Sequence, residues 1–95
     1  MKKIMTIEDG IKNIETPYPL ENGEWLEIVE YPVHGVQVLL QRRTGLPGSL
    51  DLNDYGESVV LREYETSEEA QKFEDECNKY LIEKGYSYKN KKRTN

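Results

Sequence analysis

The chain has 95 residues, with thirteen Lys and Arg against eighteen Asp and Glu, for a formal net charge of −5. Its 36% of apolar residues supply one small domain with a lean core. No apolar run is long enough to cross a bilayer or to follow Lys2 and Lys3 as a secretory signal, and the lone Cys77 permits no internal disulfide, so the sequence reads as cytoplasmic with no membrane partner.

Ile4, Ile7, Ile11 and Ile14 recur at helical spacing. Thr6 with Asp9 three residues on offers a capping pair. Gly10 and the β-branched positions weaken the helix, so the segment reads as a short N-terminal helix or an irregular arm. Thr16-Pro17-Tyr18-Pro19 ends it, because residues before proline avoid the helical region. After a turn at Asn22-Gly23, residues 25–31 read as a strand rich in β-branched and aromatic side chains. Pro32-Val33-His34-Gly35 reverses the chain into a second strand, 36–43. There Val36, Val38 and Leu40 share one face, and Gln37, Leu39 and Gln41 the other. A third strand, 57–64, places Val59 and Leu61 on one side and Ser58, Val60 and Arg62 on the other.

The C-terminal helix has the clearest signature. Thr66 with Glu69 forms a capping box, and Glu68 and Glu69 suit the positive end of the helix dipole. Ala70, Phe73, Cys77, Tyr80 and Leu81 make one apolar stripe. Gly85 ends the helix in the left-handed conformation, with Tyr86 folded back on Leu81 as in a Schellman ending. The expected fold is α+β: a three-stranded antiparallel sheet with the helix of residues 67–84 across one face and the isoleucine segment adding to the core. The other sheet face is left partly covered.

One domain over residues 1–88 is followed by a basic, disordered tail, 89–95, holding Lys89, Lys91, Lys92 and Arg93. The body then carries nine basic and eighteen acidic side chains, a net of −9. An acidic body repels phosphate backbones, which argues against nucleic acid as a partner.

Residue chemistry points away from catalysis. His34 and Cys77 are the only candidates for a base and a nucleophile, and they fall in a turn and on a buried helix stripe. Two such residues make no zinc site. Gly45 and Gly48 lack the lysine of a phosphate loop, and Asp51, Asn53 and Glu57 fall short of a calcium loop. The expectation is no enzyme, no metal and no cofactor. The long connection 44–56 is more informative, since loops of that length without their own structure tend to carry function. It holds Leu46, Leu50, Leu52 and Tyr55, with Arg42 and Arg43 at its base, and these six are the candidate partner-binding residues. The loop reads either as a lid on the open sheet face or as a binding element. A division is expected, with Leu50 or Leu52 anchored and the tip from Leu46 to Gly48 exposed.

Leu40-Gln41-Arg42-Arg43-Thr44-Gly45 leading to Gly48, then Tyr64-Glu65-Thr66-Ser67-Glu68-Glu69-Ala70, Lys72-Phe73 and Glu83-Lys84-Gly85-Tyr86, resemble the Trp-Gly-Arg (WGR) domain family. The resemblance covers about 47 residues; the defining tripeptide is absent, with Arg43-Thr44-Gly45 in its place. It implies an antiparallel sheet with one helix and an association with nucleic-acid-linked proteins, a role only Arg42 and Arg43 would inherit. The resulting expectation is a small acidic module that binds another protein. The alternatives are a nucleic-acid-associated WGR-like domain, or an acidic inhibitor of a nucleic-acid-binding enzyme such as phages and mobile elements supply.

Overall fold

The computed structural model describes residues 4–91. Three strands, β1 (Trp25–Pro32), β2 (Val36–Arg43) and β3 (Tyr55–Tyr64), form one antiparallel sheet in the order β1-β2-β3. Helices α1 (Ile7–Ile14) and α2 (Ser67–Glu83) lie across one face of it, and a short α3 (Tyr88–Lys91) follows. The α+β reading holds.

Pairing of β1 with β2 is unbroken from Trp25 opposite Arg43 to Pro32 opposite Val36. Side chains alternate across the sheet, so Leu26, Ile28, Val38 and Leu40 face the helices while Trp25, Glu27, Val29 and Tyr31 face away. Between β2 and β3 the register shifts twice. Val38 pairs with Arg62 and Leu39 with Val60, which leaves Leu61 as the extra residue of a bulge. Leu61 and Arg62 both turn toward the helices. Leu61 is fully buried, and the Arg62 guanidinium carbon lies 4.1 Å from the centre of the Phe73 ring. The bulge corrects the strict alternation that placed Arg62 beside Ser58 and Val60.

Of the two readings of the N-terminal segment, the helix is the one observed. The Asp9 amide donates to Thr6 Oγ1 at 3.1 Å, closing the first turn. Gly10 is where α1 lies flat on the sheet: a Cβ there would come within 2.6 Å of Leu61 Cδ2. The glycine that weakens the helix locally is what lets it pack. Ile11 and Ile14 then enter the core with Leu26, Val38, Leu40, Leu61, Ala70, Phe73, Cys77 and Leu81. Before α1, the Met5 amide donates to the Leu61 carbonyl at 2.8 Å, so the chain's first described residues run along the outer edge of β3.

Both bonds of the capping box at Thr66 and Glu69 are present. At the other end Gly85 has a φ of 84°, and the amides of Tyr86 and Gly85 donate to the carbonyls of Leu81 and Ile82 at 2.8 and 3.2 Å. That pair of bonds is the Schellman ending. Leu26 N–H then donates to the Tyr86 carbonyl at 2.8 Å, tying the chain to the edge of β1, and the Tyr88 ring meets Trp25 edge-on at 5.2 Å. Helical structure therefore continues to Lys91, past the boundary at 88 set for the tail; residues 92–95 lie outside the described part. No helix among the described residues is long and apolar enough to cross a membrane.

Candidate functional site

Arg42 and Arg43 end β2 side by side, so alternation sends them to opposite faces of the sheet. Both of these candidate partner-binding residues are buried. Arg42 reaches under the chain that links α1 to β1. Its Nη1 donates to the carbonyls of Ile14 and Tyr18 at 3.1 and 2.7 Å, and its Nη2 to the Pro19 carbonyl at 2.8 Å. Nη2 and Nε also donate to Glu24 Oε1 at 2.7 and 3.2 Å. A planar fork with five donors suits this set, where a single ammonium would not. The hydrogen bond between them holds the Glu24 carboxyl below its usual range and raises the Arg42 pKa further.

Arg43 occupies the other face. Its guanidinium carbon lies 4.1 Å from the centre of the Tyr55 ring and 5.2 Å from that of Trp25, and Nη1 donates to Glu27 Oε2 at 2.5 Å. Nε donates to the Asp54 carbonyl at 3.2 Å. Trp25 Nε1 donates to the Gly45 carbonyl at 3.1 Å, so this row of Trp25, Arg43 and Tyr55 grips both ends of the long loop. Neither arginine is at the surface to meet a phosphate.

The loop is built around Asp54. Its carboxylate accepts from Ser49 Oγ at 2.6 Å and Thr44 Oγ1 at 3.4 Å, and its carbonyl accepts from the Thr44 amide at 2.9 Å. Asp51 caps a single 3-10 turn, Leu52–Asp54, by accepting from the Asn53 amide. That turn leads straight into β3, which is why the strand begins at Tyr55 rather than at 57. Tyr55 Oη donates to the Ser49 carbonyl at 2.8 Å. Polar groups thus fill the inside of the loop, and its leucines point out.

Leu46, Leu50 and Leu52 are 67, 90 and 83% exposed. The loop is no lid, and the expected anchoring of Leu50 or Leu52 does not occur; those two are more exposed than Leu46. The sheet face it was expected to cover is open. Register places Glu27, Gln41 and Ser58 in one row of that face, Val29, Leu39 and Val60 in the next, and Tyr31, Gln37 and Glu63 in the last. Between them lies a shallow groove of about 520 Å³, with Tyr55 at one end and Tyr31 at the other. Of the six candidate residues, the structure leaves the three leucines and Tyr55 accessible at one end of this face. Val29, Leu39, Val60 and Tyr31 were not singled out from the sequence. Their signal was apolar residues on both faces of each strand, where one covered face needs only one set.

Cys77 lies among the core residues, and burial pushes its thiol up to about 12. His34 is exposed in the tight turn between β1 and β2, with a φ of 47°. Among the described residues no cluster of three or more His, Cys, Asp or Glu could hold a metal ion. No protein-family model, curated protein or solved structure matches the chain, and the likeness to WGR domains rests on its residues alone.

Proposed function

We propose that this chain is a small non-enzymatic interaction module of the cytoplasm, which binds another protein through the leucine loop and the open sheet face. The observation that carries this reading is the pairing of exposure with internal order. Leu46, Leu50 and Leu52 stand in solvent on a loop whose backbone and polar side chains are hydrogen-bonded to one another and to Arg43. A loose loop exposes apolar groups by accident, whereas an organised one presents them. Contiguous apolar exposure on a small protein marks an interaction surface, and a preformed loop lowers the entropy lost on binding.

A photo-crosslinking residue at Leu50, with the same residue at Lys79 on α2 as control, tests the reading in the native host. A discrete adduct with one protein from position 50, absent from position 79, is the expected result. Equal adducts from both positions, or none from position 50, would remove the loop from the contact surface.

A further inference from the structure

Building on the interaction reading, we infer that the partner presents a cationic, apolar-bearing segment, with Lys or Arg side chains alternating with large apolar ones, laid across the open sheet face. Lys12 on α1, Lys72 and Lys79 on α2 and Lys84 at its C-cap lie on the helical layer, and Lys89 sits on α3 at the β1 edge, away from the groove. The sheet's three arginines are withdrawn. Arg42 and Arg43 are buried in the contacts described above, and the β3 bulge turns Arg62 onto Phe73 beneath the sheet.

The open face and its loop keep carboxylates. Glu27 is neutralised by Arg43, but Glu63 in the last row and Asp51 in the loop have no cation within 4 Å among the described residues, whereas Glu30, opposite the inward-facing Val38, turns to Ser67 on α2 and the Asp54 carboxylate turns into the loop. Between them runs the apolar row of Val29, Leu39 and Val60. An apolar strip flanked by uncompensated negative charge is complementary to a segment of the opposite charge with the same alternation, and like charge across it would be repelled. A second copy of this chain would bring the same carboxylates face to face.

Titration of the isotope-labelled full chain with three synthetic peptides tests this. One alternates Leu with Lys, one Leu with Glu and one Ser with Lys. The Leu-Lys peptide is expected to shift the amide signals of Val29, Leu39 and Val60 and of the leucine loop, about ten-fold more tightly than either other peptide, and to weaken steeply with salt. Glu63→Gln with Asp51→Asn, which keep the acceptor oxygens used by Gln37 and the Asn53 amide, should reduce its affinity several-fold while leaving the unbound spectrum elsewhere unchanged. Equal binding of the Leu-Glu peptide on the same face would overturn the cationic partner and leave the interaction reading standing. So would peptide-free, concentration-dependent shifts of that face, which would make the occupant a second copy. Shifts confined to the helices, or none with any peptide, would overturn the inference, and the crosslinking experiment would then decide separately whether the loop meets a protein at all.

Discussion

Tyr55 and Arg43 are stacked, ring centre to guanidinium carbon 4.1 Å, and the same tyrosine donates its hydroxyl to the Ser49 carbonyl at 2.8 Å. One side chain therefore joins the end of the sheet to the middle of the leucine loop. Tyr55→Phe should cost no more than about 1 kcal/mol, since it removes one exposed hydrogen bond. Tyr55→Ala should cost about 1–3 kcal/mol and open residues 44–54 to proteases, because it removes the stacking as well. Denaturant unfolding and limited proteolysis of both variants check this.

Arg42 holds three carbonyls and a carboxylate in a largely buried setting. Arg42→Ala should cost about 3–5 kcal/mol, because those acceptors are left without donors. Arg42→Lys should recover only part of that, since an ammonium cannot satisfy the same fork. Unfolding by urea gives both values; an unchanged midpoint for Arg42→Ala would show that its contacts do not hold the fold.

Phe73 meets Tyr64 and the Arg62 guanidinium on one side and the core on the other. Phe73→Ala should cost about 3–5 kcal/mol, a large share of the stability of a domain this size. Thermal melting measures it.

Glu74 gives a pH dependence whose sign follows from its neighbours. Burial, a hydrogen bond with Glu30, and the charges of Glu30 and Asp75 raise its pKa from 4.5 to about 7, while the Glu74 and Ser67 hydrogen bonds lower that of Glu30. Between pH 4.5 and about 7 the folded chain keeps a proton on Glu74 that the unfolded chain has released, so this group's contribution to stability falls as pH rises through that window. Glu30 acts in the opposite sense, losing its contribution as pH drops below the ordinary carboxylate range. Glu74→Gln should accordingly melt higher than the parent at pH 8 and close to it at pH 5. Melting curves across that range would show the two converging as pH falls.

The elements and their ends were legible because each rested on local chemistry: the capping box at Thr66 and Glu69, the left-handed Gly85, the alternation in β2. What was hidden depended on partners far along the chain. Arg42 looks like a surface cation until Ile14, Tyr18, Pro19 and Glu24 are brought beneath it. Arg62 changes face only because a bulge at Leu61 adds a residue to β3, and no turn or glycine marks that bulge in the sequence. Leu50 and Leu52 gave the right loop and the wrong packing, since the polar interior formed by Asp54, Ser49 and Thr44 takes the place the leucines were expected to fill.

On the proposed function, the loop leucines serve recognition and contribute nothing to folding. Leu50→Ser combined with Leu52→Ser, measured in one preparation for melting temperature and for capture of the partner identified by crosslinking, tests it most directly. A melting temperature within about 2 °C of the parent is expected, as for exposed positions, with capture abolished. A fall of several degrees would show the leucines packed in the fold, and undiminished capture would show that the partner binds elsewhere.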